Sequence, residues 1–244
     1  MIAYCENAPP LDDTLIGCRM QTLSTCYGAM PNILDWFMSN AGGALCRFGN
    51  SLLISGYVDA EELFAFAEML NISRIEWTAK DLAQSFLSEG WTSRSHPALC
   101  CVGGTGSSLN TIETDVELRR CFEILCQSDA QFAREADYLP WLSDMTRRRN
   151  AGRAEVFMHD DVAVTCVSAK GHRSAYLSSV AVLPNKRGSG VGLALVRAVV
   201  GHPTLNGMNI YTAAQSEQLT AFYKQAGFEA LPQHLIITEK RSPA

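Results

Sequence analysis

The sequence predicts an α+β protein: a mixed, mostly antiparallel sheet flanked by helices, laid down twice in tandem. Three observations carry this reading. Strand-like alternation and helix-like periodicity interleave along most of the chain. A ten-residue stretch near residue 82 returns near residue 219, and a glycine-rich loop, "LPNKRGSGVGLALV" at 183–196, leads from a strand straight into an apolar helix.

In the second half, "DVELRRCFEILCQS" places Val116, Cys121, Ile124 and Leu125 near helical spacing. "PWLSDMTRRRNAG" reads as another helix, opened by Pro140 and closed by Gly152. "AEVFMHDDVAVTCVSA" alternates about a His159-Asp160-Asp161 turn as a hairpin does, and "SAYLSSVAVL" adds a third strand. After the glycine loop come the helix "GLALVRAVVGHP", the strand "MNIYTAA", the helix "SEQLTAFYKQAGF" and the strand "HLIITEK", giving the order ααβββαβαβ. The first half follows a related plan. "ALCRFGNSLLISG" is a hairpin turning at Gly49-Asn50, "DAEELFAFAEML" an amphipathic helix, "SRIEW" a strand and "AKDLAQSFLSEGW" a helix.

The repeat joins the halves. "LAQSFLSEGW" (82–91) aligns without a gap on "LTAFYKQAGF" (219–228), setting Leu82 on Leu219, Gly90 on Gly227 and Trp91 on Phe228. Gly, Ser, Thr and Asn displace apolar periodicity between the halves. We therefore expect domains at 1–102 and 115–244 with a linker at 103–114, the second long enough to carry its own core.

Composition narrows the function. With 244 residues and 47 % hydrophobic content the chain can bury a substantial core. No run approaches the ~18 apolar residues of a membrane span, and the start lacks the features of a secretory signal, so a cytoplasmic protein is expected. Nine cysteines at irregular spacings make neither a disulfide framework nor a zinc site; they read as reduced, buried thiols, with a catalytic cysteine as the alternative, and no metal is expected. A net charge of −5 argues against nucleic acid as a partner and is compatible with a cationic substrate.

The glycine loop is the candidate site. Glycines at a helix start are unfavourable unless a positive φ or a close approach to the backbone is needed. A helix N-terminus with unpaired N–H groups is a ready phosphate site. A Walker loop requires Gly-Lys-Ser/Thr, whereas Gly192 is followed by Leu193; a dinucleotide fingerprint requires G-x-G-x-x-G, whereas these glycines fall as G-x-G-x-G after a hairpin.

"VAVLPNKRGSGVG" resembles instead the acyl-coenzyme A motif of the GCN5-related N-acetyltransferases (GNAT), in which Arg or Gln precedes x-x-G-x-G/A; here these are Arg187, Gly190 and Gly192. "AFYKQAGF" (221–228) resembles the family's second motif, so the resemblance covers roughly residues 116–240. It implies a GNAT fold and an acetyl group passed from acetyl-coenzyme A to the amine of a small molecule or peptide. A module that senses acyl-coenzyme A without turnover is the alternative.

In such a protein the pyrophosphate sits on the amides of Gly188, Ser189, Gly190, Val191, Gly192 and Leu193, with Arg187 beside it. The strand Val180-Ala181-Val182 pairs with the pantetheine arm. Tyr223 stands where the family places the acid that protonates the leaving thiolate. Ser216 takes the place of the asparagine many relatives set against pantetheine, and also reads as a helix cap.

Neither "YLSSVAV" nor "NIYTAA" offers a carboxylate base, and Asp160 and Asp161 read as turn residues. Asp137, Tyr138 and Trp141 lie where acceptors bind in relatives. Arg147-Arg148-Arg149 reads as a solvated helix end, with an acidic acceptor as the alternative. The first half has "VDAEEL" at the place of the phosphate loop and Phe86 at the place of Tyr223, so it is expected to be a degenerate copy that shapes the acceptor side.

Overall fold

A computed structural model describes residues 1–30, 32–79 and 90–241. The first half runs β1 (Ile2–Cys5), α1 (Leu15–Tyr27), β2 (Leu34–Ser39), β3 (Ala44–Phe48), β4 (Ser51–Ser55), α2 (Ala60–Met69), β5 (Arg74–Ala79) and β6 (Trp91–Val102). The second runs α3 (Asp115–Ser128), α4 (Ala130–Glu135), α5 (Tyr138–Asn150), β7 (Glu155–His159), β8 (Ala163–Lys170), β9 (Ser174–Val182), α6 (Val191–Val200), β10 (Asn209–Ala213), α7 (Glu217–Gln225) and β11 (Glu229–Lys240). The expected helix at 80–89, including Leu82 and Phe86, lies outside the described residues.

Among the described residues all eleven strands join one sheet, ordered β1-β2-β3-β4-β5-β11-β6-β10-β9-β8-β7. Its pairs are antiparallel except β4 with β5 and β9 with β10. These two parallel pairs are equivalent in the two halves, and the strands of each are joined by a helix crossover, α2 or α6. The predicted mixed, mostly antiparallel sheet flanked by helices is therefore present in both halves. The predicted helix order needs one addition, the short α4, whose cap Asp129 accepts hydrogen bonds from the Gln131 and Phe132 amides. α5 begins at Tyr138, before Pro140, because Asp137 caps it.

The halves interlock through their last strands. β11 lies between β5 and β6, and β6 lies between β11 and β10. Each half thus lends its final strand to the other, and β10 meets β11 through β6 alone. A second half cut at the linker would lose that strand and expose two rows of unpaired backbone groups.

Helix α1 is the second unexpected feature. Leu15, Ile16, Cys18, Met20 and Leu23 are all at most 4 % exposed, and the helix packs on β4 and β5 as well as on β8 and β9. The sheet must curl around it for one helix to reach both pairs. Polar groups fix its position: the Thr22 hydroxyl donates to the Lys170 carbonyl, Gln21 accepts from the His172 amide, and Asp13 accepts from the Arg173 amide. Arg19 reaches inward to Glu76 of β5 at 2.5 Å, while Arg74 bonds the other carboxylate oxygen at 2.8 Å. A helix enclosed on nearly every side has no polar face to mark it in the sequence.

The repeat is visible where both copies are described. Gly90 and Gly227 both have positive φ, and each is followed by an aromatic residue 2 % exposed: Trp91, the first residue of β6, and Phe228, immediately before β11.

Candidate active site

β9 and β10 pair over Ser174–Tyr176 and Asn209–Tyr211 and then separate. The cause lies in β9. Between the pairs Cys166–Ser178 and Val164–Ala181 it carries one residue more than β8, and Ser179 adopts φ 54°. Such a bulge bends its strand and increases the local twist. The fork that results has the Val180–Val182 backbone on one side and the end of β10 on the other.

A cavity of about 500 Å³ opens beside β9, lined by Val180, Ala181, Val182, Arg187 and Gly192. Five of the predicted cosubstrate residues are therefore together in one place. Across from them lie Ser128–Ala130, at the α3–α4 junction, and Phe222 of α7. Arg187 spans the two walls, donating to the Val182 carbonyl at 3.3 Å and the Ser128 carbonyl at 2.7 Å. The Ser128 hydroxyl is buried and has no protein partner.

Gly188 (φ +78°) and Gly190 (φ +85°) hold left-handed backbone in open space, a conformation L side chains rarely adopt. Gly192 is needed for closeness: a Cβ there would come 3.0 Å from Val182 Cγ2. With Gly190 as its N-cap, α6 starts without a side-chain cap and without an acid in its first turn. Its leading amides, from Val191 through Leu193, are available to an anion. Ser189 secures the loop by donating to the Lys186 carbonyl.

The first half is built the other way at the equivalent position. Residues 56–59 replace the longer span 183–190, Asp59 caps α2 by accepting from the Glu62 amide, and Glu61 and Glu62 fill the first turn. The N-terminal ammonium of Met1 pairs with Glu62 at 2.7 Å. Negative charge already occupies that helix end, so a phosphate is repelled.

Tyr223 is 6 % exposed, its ring edge-on to Phe222 and Phe228. Burial raises its pKa above the ordinary tyrosine value, and a hydrogen bond with Thr212 works in the opposite direction. The phenol is thus protonated at neutral pH. Ser216 caps α7 by accepting from the Leu219 amide at 3.2 Å, so its hydroxyl already has a structural partner.

Other candidates have structural partners too. Asp137 caps α5, Tyr138 and Trp141 pack on Phe122, and Asp160 and Asp161 form the β7–β8 turn with φ 49° and 56°. The arginine run is no free helix end. Arg147 lies over the Tyr27 ring, Arg148 bonds Asp144 and the Ser168 carbonyl, and Arg149 bonds the Glu113 carbonyl. Sequence reasoning missed the Ser128–Ala130 wall, because its residues touch the loop only through the fold.

The forked mixed sheet with a bare glycine loop at the start of the crossover helix is the arrangement that the resemblance to the GNAT family implies. Residues 152–230 match the family model of the acetyltransferase (GNAT) domain, so the second half carries a GNAT domain. No curated protein sequence matches the chain significantly. Among solved structures it is similar to a GCN5-related N-acetyltransferase from Kribbella flavida, with TM-score 0.63 and 13 % identity over 94 % of this chain and 95 % of that one. A GCN5-related N-acetyltransferase from Sphaerobacter thermophilus gives TM-score 0.58 and 13 % identity over 100 % and 96 %. A tandem GNAT protein from the clavulanic acid biosynthesis pathway, solved without AcCoA, gives 0.52 and 15 % over the full length of both chains. At these identities the likeness is one of fold, and that fold extends over both halves.

Proposed function

We propose that the protein is an acetyl-coenzyme A dependent N-acetyltransferase whose second half binds the donor and whose first half forms one wall of the acceptor cleft. The uncapped, acid-free start of α6 beside the β9–β10 fork is the observation that carries this reading. Its loop amides suit a pyrophosphate, the free backbone edge of β9 suits the amides of a pantetheine arm, and the unpartnered Ser128 hydroxyl suits a polar ligand atom in the adjoining cavity. The thioester then lies in the fork near Tyr223. As an amine attacks the carbonyl carbon and the C–S bond breaks, the Tyr223 phenol gives its proton to the leaving sulfur. Backbone amides of the bulged strand are positioned to stabilise negative charge developing on the carbonyl oxygen.

Tyr223, a protonated phenol held beside Thr212 of β10, is available as the acid that turnover requires. The free thiols fit a reducing compartment such as the cytoplasm. Incubating the full chain with acetyl-coenzyme A and a panel of small amines and peptides, and following released thiol, tests the proposal. Amine-dependent release supports it. Binding of acetyl-coenzyme A with no release across the panel turns the reading to a sensor.

A further inference from the structure

Tyr223 supplies an acid, but the strands that form the fork bring no carboxylate base. We propose that His96, on the strand the first half lends to the second half's sheet, is the base that accepts the acceptor's proton. This rests on the acetyltransferase reading and gives the strand exchange a chemical role.

Position is the first argument. β6 runs beside β10, with Ala98 opposite Ala213 and the Ala214 amide bonded to the Pro97 carbonyl. His96 is therefore the diagonal neighbour of Ala213, about 7–8 Å away and beyond the last β6–β10 pair, from where it reaches an amine at the mouth of the fork through water. It also lies opposite Leu235, which with Ala98 belongs to the core around α1. Side chains two apart on a strand share a face, so His96 faces the α1 side. Tyr223 lies in the other core, with Ile210 of β10. Acid and base thus lie on opposite faces of the sheet beside the fork.

The second argument is the state of the ring. His96 Nδ1 is buried and has no hydrogen-bond partner, whereas His234 is held by Ser95 and His202 by Thr204. An unpaired buried nitrogen costs stability. It also leaves the ring's tautomer unfixed by any partner.

Burial, helped by two neighbouring arginines, keeps the ring neutral. Arg94 of β6 and Arg74 and Glu76 of β5 act on it, while Glu76 is engaged by Arg19 and Arg74, and Glu239 of β11 by Arg74 and Arg94. Burial, then Arg94 and Arg74, lower the His96 pKa against the opposing pull of Glu76. The base form is accordingly present at neutral pH and is lost only when the pH falls through that lowered value.

The proton balance closes. The acceptor ammonium gives one proton to His96, which passes it to water, and the freed lone pair forms the C–N bond. The C–S bond breaks and the sulfur takes the Tyr223 proton. The second proton shed by the new amide nitrogen restores Tyr223 through water.

The test uses the full chain, His96→Gln and His96→Asn, with the amine that wild type acetylates fastest. Coenzyme A affinity, measured by calorimetry, reports folding and the donor site. With affinity retained, turnover at pH 7 should fall about 10²–10⁴-fold in both variants. The acid limb of kcat/KM should move up from the lowered histidine value toward the pKa of the amine itself, so that the variants recover at high pH. A merely structural loss would leave the limb in place. Wild-type rate and pH profile in either variant would overturn the role of His96 alone, whereas a wild-type chain that acetylates no amine would overturn the acetyltransferase reading beneath it.

Discussion

Glu76→Gln leaves Arg19 facing a neutral amide in the core around α1. Glu76 is 4 % exposed and accepts from both Arg19 and Arg74. Burial alone would raise its pKa, but the two arginines prevail and hold it from 4.5 down to about 2. At about 1.4 kcal/mol for each tenfold change, that displacement is worth roughly 3 kcal/mol of stability. Breaking one side of a buried pair costs about 3–5 kcal/mol, which agrees. Because the folded pKa is depressed, the contribution is complete above the unfolded value and is lost as the pH falls from about 5 toward 2. Urea unfolding at pH 7 should therefore place Glu76→Gln roughly 3 kcal/mol below wild type, with the gap narrowing at pH 3. A gap under about 1 kcal/mol at pH 7, or one that is the same at both pH values, would refute the assignment of Arg19 and Glu76 as the anchor of α1.

Two further predictions concern the site and the sheet. Tyr223→Phe removes a proton donor and almost no volume, so turnover should drop about 10²–10⁴-fold with coenzyme A affinity unchanged; equal turnover would make Tyr223 a packing residue. A fragment from Thr111 onward lacks β6 and should aggregate, while co-expression with residues 1–105 should restore a soluble complex. A soluble, cooperatively folding fragment alone would show that the strand exchange is dispensable.

What the sequence revealed follows from where its constraints are local. Gly188, Gly190 and Gly192 are legible because backbone and packing both demand them, and the hairpin at Asp160-Asp161 because its turn residues need positive φ. The crossover helices α2 and α6 show one apolar face. By contrast α1 is enclosed on nearly all sides, so "LIGCRMQTLSTCY" carries no helical stripe. β6 reads as "WTSRSHPALCCV", a polar stretch with a proline, although it lies inside the sheet. Which half it pairs with depends on residues more than a hundred positions away, and no local pattern records that. Arg147, Arg148 and Arg149 show the same limit: a charged run looks solvated until the fold brings Tyr27, Ser168 and Glu113 to it. Nothing local to His96 marks the exchange that sets it beside β10.

The account depends most on the loop at the start of α6 being the donor site. Titration of coenzyme A into the full chain by calorimetry tests this directly when wild type is compared with Gly190→Glu and Gly207→Glu. Both glycines have positive φ, +85° and +71°, with open space where a Cβ would go, so the two variants bear similar backbone strain. Gly190→Glu alone sets a carboxylate at the amides proposed for the pyrophosphate. The account predicts saturable binding to wild type and to Gly207→Glu and its loss in Gly190→Glu; no binding to wild type, or equal binding to all three, would contradict it.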